Sequence, residues 1–360
     1  MKIIRKLSNN FLFLCISMIF FIKIIFYFLV KSQFLNIGFG GGDDSDYYHA
    51  YVLGYFDEAV NIWPVLLKYL NNLGLYSRSN IAYFLLLLNL FIVPFLTTKI
   101  AGLNFKKNQK YYLYCFLLCL IYPTLFFYTF DIYRDVFMVF SFLIGCLIVR
   151  KSLNSSNFIC FSFLYILAIL IGFFLLALRP YLGYAFLLAL FLWKIRFTKK
   201  RILLFTILYF IFLFIANYIG IFERLTDYRS SFEEIDAGST LGLDFSNPIM
   251  FLPNFVLSIL GQLIGLYITN PVAAILFLVE TVPVIYMLFY LFNNIKWADD
   301  FIRFLIIFFI LYASVWLIGN DNLGTAVRLR VYNYFSVYIC FFYILRIKYL
   351  SEVPHQGIKK

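Results

Sequence analysis

Long runs of apolar residues, separated by short polar stretches, recur along the chain from Phe11 to Leu345. Many approach the ~20 residues that an α-helix needs to cross the hydrocarbon core of a bilayer. Because irregular backbone is not tolerated where it faces lipid, such runs predict membrane-spanning helices. The pattern therefore predicts an all-α polytopic integral membrane protein, with residues 1–360 forming a single membrane domain.

Ten membrane-spanning helices are predicted from these runs. They cover 11–30, 80–98, 111–130, 136–149, two spans within 158–193 divided at Arg179-Pro180, 202–220, 272–293, 301–319 and 331–347. The run at 249–268 is apolar but lacks flanking charge, so it is predicted to be re-entrant or to lie on the membrane surface. Two longer polar loops remain, 31–78 and 221–247. The mixture of aromatic, aliphatic and charged residues in the first predicts short interfacial helices.

Composition supports the membrane interpretation and explains the positive charge. The chain is 63% apolar and 13% charged, with mean hydropathy +0.88, whereas soluble domains are about half apolar and a quarter charged. The net charge of +12 follows from Lys and Arg in loops that face the cytoplasm. The distribution of these residues places both termini in the cytoplasm and loops 31–78 and 221–247 outside. It gives no reason to expect nucleic-acid binding. All six cysteines lie in apolar segments and are interpreted as small core residues.

The first external loop contains an unusual acidic stretch after three glycines. Asp43, Asp44 and Asp46 lie within four positions, and His49 follows. The three carboxylates could bind a divalent cation through oxygen ligands. Alternatively, one of them or His49 could act as a general base. A third interpretation is a solvated loop in which Ser45 or Asp46 caps a helix.

Seven arginines lie on the predicted external side, where the positive-inside tendency disfavours them. Four of these, Arg134, Arg179, Arg328 and Arg330, are at or near the external ends of predicted spans. The planar guanidinium suits bidentate binding of phosphate, so the four could surround an anionic head group.

Local pairing is the alternative for some of these arginines. Arg134 has Asp131 three positions earlier as a possible helix-face partner. Glu280 lies inside a predicted span, where a carboxylate is expected to be protonated or to pair with an arginine. For Arg179, which has no acid nearby in sequence, Glu280 is the candidate protein partner, and the anionic head group is the partner predicted. Because proline lacks an N–H, the helix is expected to break at Arg179-Pro180.

The layout resembles polytopic membrane glycosyltransferases of the GT-C class, and more particularly Wzy-type O-antigen polymerases and related surface-polysaccharide polymerases. The resemblance rests on short motifs: Gly42-Asp-Asp-Ser-Asp46, Tyr122-Pro123 followed by Tyr133-Arg134-Asp135, Leu178-Arg179-Pro180-Tyr181, and Val327-Arg-Leu-Arg330-Val-Tyr332. It implies an inner-membrane enzyme of lipopolysaccharide biosynthesis that joins undecaprenyl-pyrophosphate-linked oligosaccharide repeat units at the periplasmic face.

The resemblance also implies roles and partners. The Asp43–His49 stretch would provide the base for the acceptor hydroxyl, and the four arginines would stabilise the departing pyrophosphate. No cofactor is required, although a divalent cation remains open, and a chain-length regulator is an expected partner. Two other functions fit the sequence. One is a GT-C transferase that takes a single sugar from a polyprenyl monophosphate. The other is a flippase or transporter, which the position of Glu280 favours.

Overall fold

The computed structural model describes residues 8–35, 42–234 and 239–352. Within these ranges every regular element is a helix, and the sole β-type pairing is an isolated bridge between Thr240 and Asn322.

Seven helices in the described ranges are long and apolar enough to cross a membrane. They are α1 (Asn9–Lys31), α4 (Arg78–Ile100), α7 (Asp135–Leu153), α8 (Phe158–Leu178), α10 (Lys199–Tyr218), α13 (Pro271–Asn293) and α14 (Asp300–Gly319). The shorter apolar helices are α5 (Gln109–Ile121), α9 (Pro180–Leu192) and α12 (Phe251–Leu263). The remaining α-helices are α2 (Asp43–Leu53), α3 (Ile62–Asn72), α6 (Pro123–Phe127), α11 (Glu223–Glu234) and α15 (Leu323–Glu352), and a short 3-10 helix covers Ile295–Trp297.

The outer surfaces of several long helices are apolar. On α8, Phe158 and Phe163 are 80% and 67% exposed, and on α10, Leu203 and Phe212 are 67% and 61% exposed. Soluble monomers rarely expose apolar surface of this extent, whereas lipid would cover it. The chain is therefore a membrane-embedded helical protein.

Seven of the ten predicted spans coincide with these long helices. The predicted span 111–130 is instead two helices, α5 and α6, divided at Tyr122, because Pro123 cannot donate a backbone hydrogen bond to the preceding turn. The predicted span 331–347 lies within the longer helix α15. Helix α12 occupies the 249–268 region, and its 13 residues would be only about 20 Å long, less than a bilayer core.

Polar residues determine where several of the helices begin. Asn270 caps α13 by accepting a hydrogen bond from the Ala273 N–H at 2.8 Å, and Pro271 occupies the first helical position. Asp299 caps α14 through the Ile302 N–H at 2.9 Å. These residues satisfy N–H groups that have no partner within a helix.

The chain divides into two compact units, one formed by residues 1–183 with 345–360 and the other by residues 184–344. In the first unit, Tyr27 of α1 stacks on Phe130 with ring centroids 5.0 Å apart. Lys23, one turn earlier, is buried and points inward: its Nζ donates to the Tyr122 carbonyl at 3.4 Å and lies 4.6 Å from the Phe126 ring centre.

The second unit has its core around α14 and α15, where Trp316 donates to the Asn333 side chain at 3.1 Å. Within the described residues, single π-turns interrupt the long helices α4 at Leu88–Ile92 and α13 at Phe277–Thr281, and a third, Ile259–Leu263, ends the shorter helix α12. Such turns often mark functional positions, and the one in α13 contains Glu280.

Candidate functional site

A single guanidinium connects the acidic stretch to a second carboxylate far away in sequence. Arg78, the first residue of α4, binds Asp131 through two nitrogens, with Nε to Oδ1 at 2.7 Å and Nη2 to Oδ2 at 2.6 Å. The same Nη2 lies 2.6 Å from Oδ1 of Asp46 in α2. We call Asp46, Arg78 and Asp131 the Arg78 cluster.

The two carboxylates of the Arg78 cluster differ in exposure. The Asp131 side chain is 6% exposed, whereas that of Asp46 is 60% exposed. Asp131 also accepts a hydrogen bond from the Ile132 N–H at 2.8 Å, and the Ile132 carbonyl is held by Trp63 Nε1 at 2.8 Å. Asp131 is therefore the fixed anchor, and Asp46 is the member that faces outward.

Helix α2 presents the acidic stretch. It begins at Asp43 after Gly42, whose φ of 133° is outside the range that L-residues readily adopt. The Asp46 Oδ2 accepts from the Gly42 N–H at 3.4 Å, and Ser45 Oγ donates to the Gly42 carbonyl at 3.0 Å. The interpretation in which Ser45 or Asp46 caps the helix is wrong, because the helix already contains both residues.

The alternative in which Arg134 pairs with Asp131 along a helix face is also wrong. Asp131 binds Arg78, and residues 131–134 are not helical, so no helix face joins the two residues. Arg134 instead donates from Nη1 to the Leu178 carbonyl at 3.1 Å.

His49 lies on the same helix as Asp46 and has a partner from the chain before α4. Its Nδ1 is 2.8 Å from the Tyr76 hydroxyl, and the two rings stack with centroids 5.9 Å apart. Burial raises the pKa of Tyr76 to about 12, with Arg78 opposing the shift and Asp131 adding to it. Tyr76 is therefore a neutral phenol at physiological pH, and it fixes the imidazole orientation.

Tyr48 is a buried tyrosine within the acidic stretch. Burial raises the pKa of Tyr48, the Arg134 charge lowers it, and the charges of Asp44 and Asp135 raise it further. Asp44 is half-buried in the first turn of α2, and the side chain of Asp43 is outside the described part of the chain.

Arg179 occupies the predicted helix break. Helix α8 ends at Leu178, Arg179 is extended with φ −155°, and α9 begins at Pro180, so the predicted break is confirmed. Arg179 is 4% exposed, and its guanidinium carbon is 5.8 Å from the Tyr181 ring centre. Because Arg134 binds the Leu178 carbonyl, the two arginines are held at the same helix end.

Arg328 and Arg330 belong to the second unit, within the first turns of α15. Arg330 Nη2 lies 3.0 Å from Glu280 Oε2, and both side chains are almost fully buried. The prediction that Glu280 pairs with an arginine is confirmed, and the partner is Arg330 rather than Arg179. The predicted ring of four arginines stays a prediction, since Arg134 and Arg179 belong to the first unit.

The Glu280–Arg330 pair is surrounded by further polar contacts. The Tyr334 hydroxyl donates to the Leu263 carbonyl at 2.6 Å and lies 2.9 Å from Thr281 Oγ1. Gly265, with φ 68°, lies so close that a Cβ there would be 2.5 Å from Arg330 Nη1. The glycine therefore allows the chain to pass beside the guanidinium.

A second buried ion pair in this unit, between Arg229 and Asp321, has a structural role. Arg229 also donates to the carbonyls of Leu317 at 3.1 Å and Asn320 at 2.6 Å, which terminate α14. It thus satisfies carbonyls that a helix end leaves without a partner. The same unit contains an almost wholly apolar groove of about 830 Å³, lined by residues such as Tyr209, Phe289 and Cys340.

The described residues offer little support for a metal site. No group of three His, Cys, Asp or Glu side chains among them could hold an ion. In the acidic stretch, Asp46 already receives a cationic guanidinium.

Sequence reasoning missed Arg78, Tyr76 and Asp131 as members of the site. Arg78 was one of the seven external arginines, and it directly precedes an apolar run, so its position was the available signal. Its partners are 53 and 32 residues away, which a single sequence does not reveal. No family model, curated protein or solved structure matches this chain.

Proposed function

We propose that the protein is a polytopic glycosyltransferase of the bacterial inner membrane, an O-antigen or surface-polysaccharide polymerase with a GT-C-like fold of about ten spans. Its substrates would be undecaprenyl-pyrophosphate-linked oligosaccharide repeat units at the periplasmic face. The observation that carries the proposal is the acidic helix α2, which Arg78 ties to Asp131 and on which His49 contacts Tyr76. Acid, imidazole and guanidinium groups thus meet next to apolar helices, as a lipid-linked anionic substrate requires.

In this proposal His49 removes the proton from the acceptor sugar hydroxyl. The resulting oxygen attacks the anomeric carbon of the donor glycan, and the bond from that carbon to the pyrophosphate oxygen breaks. Undecaprenyl pyrophosphate leaves with the bonding electrons. Tyr76 orients the imidazole through its 2.8 Å contact with Nδ1, and imidazole is the commonest general base in enzymes.

Two arginines of the first unit, Arg134 and Arg179, would bind the pyrophosphate leaving group. Arg134 and Arg179 lie at one helix end, where two guanidinium groups suit the charge that develops on a departing pyrophosphate. Asp46 is assigned a positioning role, because its two oxygens already contact Arg78 and the Gly42 N–H. Asp44, which lies on the same helix as His49, is assigned the contact with the acceptor sugar.

The test is the polysaccharide ladder of cells that carry single substitutions. We expect His49→Ala and Asp44→Asn to abolish chains longer than one repeat unit, while the proteins still insert in the membrane. The matched control is Asp57→Asn, an exposed carboxylate in the same loop, which should leave the ladder normal. A normal ladder from both His49→Ala and Asp44→Asn would exclude this site.

The proposed topology has its own test. With both termini cytoplasmic, a periplasm-active reporter should be active when fused in loop 31–78 or 221–247 and inactive at Lys359. Activity at Lys359 would exclude the ten-span arrangement.

Transport of a lipid-linked oligosaccharide is the second candidate function. It is favoured by the buried pair between Glu280 of α13 and Arg330 of α15, because a π-turn interrupts the candidate span at Glu280. Transporters commonly use interrupted helices and ionisable groups within the membrane. The products distinguish the candidates: polymerisation gives a ladder, a single-sugar transferase gives one addition, and transport forms no glycosidic bond.

A further inference from the structure

The apolar groove of about 830 Å³ lies wholly within the second unit, where α10, α13, α14 and α15 supply most of its lining. The hydroxyl groups of the lining are already bonded within the protein. Thr206 Oγ1 and Ser336 Oγ each donate to a carbonyl one turn earlier in their own helix, at 2.9 and 2.8 Å. The Tyr209 hydroxyl lies 2.5 Å from Ser314 Oγ. The lining therefore suits a hydrocarbon chain.

The groove opens on the apolar outer surface and has the depth of one leaflet. Phe289 of α13 and Ile310 of α14 line it and are 68% and 38% exposed. Along α10 the lining runs from Ile202 to Phe210, a distance of about 12 Å at the rise of an α-helix. Half of a bilayer core is about 15 Å thick. This depth matches an acyl chain in the leaflet where α10 begins.

One end of the groove lies against residues 194–201, which we call the basic segment. Arg196 stands between two residues that line the groove, and Arg201 directly precedes a third. Lys199 Nζ lies 5.7 Å from the ring centre of Phe292, which also lines the groove. Cations thus lie at the end where a lipid chain would join its head group.

The acids near this end are engaged elsewhere. The basic segment contains five Lys or Arg and no Asp or Glu. In the neighbouring segment 293–303, Asp299 caps α14 and Asp300 pairs with Arg303 at 2.7 Å. Three of the five cations occupy the first turn of α10, where the helix macrodipole disfavours positive charge, so helix stability does not explain them. The charge at this end of the groove is complementary to an anionic head group.

We propose that the groove holds one acyl chain of an anionic phospholipid, with the lipid phosphate at the basic segment. Lys and Arg donors suit phosphate oxygens, and basic pockets between transmembrane helices are a recurrent way to hold such lipids. Trp193 directly precedes the basic segment, and tryptophan is typical of the head-group level of a membrane. The proposal is independent of the proposed glycosyltransferase function, since it requires only the membrane location.

The head-group contact is tested with the full-length protein, purified and delipidated in a neutral detergent. Binding of phosphatidylglycerol and of phosphatidylcholine is titrated by native mass spectrometry. We expect phosphatidylglycerol to bind preferentially, and Lys199→Gln or Arg201→Gln to weaken its binding about fivefold each, the effect of one basic residue near a charged membrane. The control Lys106→Gln, in another basic loop where the lysine is also exposed, should leave the affinity unchanged. An equal loss in Lys106→Gln would overturn the proposal, because binding would then follow net charge alone.

The chain contact is tested by filling the groove. Thr206→Trp places an indole among the lining residues and should weaken phosphatidylglycerol binding about tenfold or more, the effect of excluding two methylene groups. The matched control is Leu208→Trp, on the same helix but outside the lining, where the side chain is 50% exposed. Thr206→Phe replaces Thr206→Trp if the latter fails to fold. Equal affinities in the groove variant and the control would show that the chain does not lie in the groove.

A competition separates a phospholipid from a polyprenyl carrier. Undecaprenyl phosphate is added at the same concentration as phosphatidylglycerol. Phosphatidylglycerol that stays bound supports the phospholipid assignment. Displacement of phosphatidylglycerol from the wild type, with loss of undecaprenyl phosphate binding in Thr206→Trp, would mean that the groove holds the carrier and that the phospholipid assignment is wrong.

Discussion

Removing Arg78 tests the geometry of the Arg78 cluster most severely. Arg78 contributes two hydrogen bonds to Asp131, whose side chain is 6% exposed, and one to Asp46, whose side chain is 60% exposed. Loss of the partner of a buried charge costs about 3–5 kcal/mol, whereas an exposed ion pair is worth about 0–1 kcal/mol. We therefore expect Arg78→Ala to lower the free energy of unfolding by about 3–5 kcal/mol, nearly all of it through Asp131.

Related substitutions should follow the same ordering. Arg78→Lys keeps the charge but loses at least one charge-assisted hydrogen bond, worth about 1.5–3 kcal/mol. Asp46→Asn should cost no more than about 1 kcal/mol. In the double variant Arg78→Gln with Asp131→Asn, the two effects should be less than additive, because neither charge is then left buried alone.

The assay is equilibrium unfolding in mixed micelles with increasing denaturing detergent, followed by tryptophan fluorescence and far-ultraviolet circular dichroism. Both probes must give the same transition for a free energy to be defined. If Arg78→Ala costs no more than Asp46→Asn, then Asp131 does not depend on Arg78. The assignment of Asp131 as the anchor would be refuted.

Three further predictions concern other parts of the chain. In unfolding assays Glu280→Gln should lower the free energy of unfolding by about 3–5 kcal/mol, because Arg330 is then buried without its partner. The double variant Glu280→Leu with Arg330→Met should recover most of that stability. If the single and the double variant lose the same stability, an unpaired Arg330 charge is not the cause of the loss. Burial raises the pKa of Tyr76 from its usual 10.0 to about 12. Between pH 10 and 12 the unfolded chain therefore binds fewer protons than the folded protein, so the free energy of unfolding should fall as the pH rises through this range. Tyr76→Phe should reduce this fall, and thermal unfolding between pH 9 and 12 measures it; an identical slope would contradict the shift. Arg179→Lys keeps the positive charge but loses the paired N–H donors of the guanidinium, so it should lose most polymerisation, and Arg179→Ala should lose nearly all. A normal ladder from an Arg179→Lys protein that inserts in the membrane would exclude bidentate phosphate binding.

Apolar runs were sufficient to predict the long helices, because few structures other than a helix can satisfy the backbone of a 20-residue apolar segment in lipid. The break at Arg179-Pro180 was equally predictable from the chemistry of proline. The break at Tyr122-Pro123 has the same cause, but the sequence pattern predicts one continuous span there, because the residues on both sides of Pro123 are apolar.

The pairings within the candidate sites were not predictable from one sequence. Arg78 and Asp131 are 53 residues apart, and Glu280 and Arg330 are 50 apart. Which acid meets which arginine depends on how the helices pack, and hydropathy carries no information on that. The acidic stretch was nevertheless identifiable, because carboxylates beside apolar spans are costly unless something compensates them.

The most direct test of the central claim uses the purified protein in liposomes with undecaprenyl-pyrophosphate-linked repeat units and no nucleotide. The account predicts a ladder of products spaced by one repeat unit, with one undecaprenyl pyrophosphate released for each unit added. It predicts no ladder from His49→Ala. A single sugar addition, translocation without a new glycosidic bond, or an unchanged ladder from His49→Ala would contradict it.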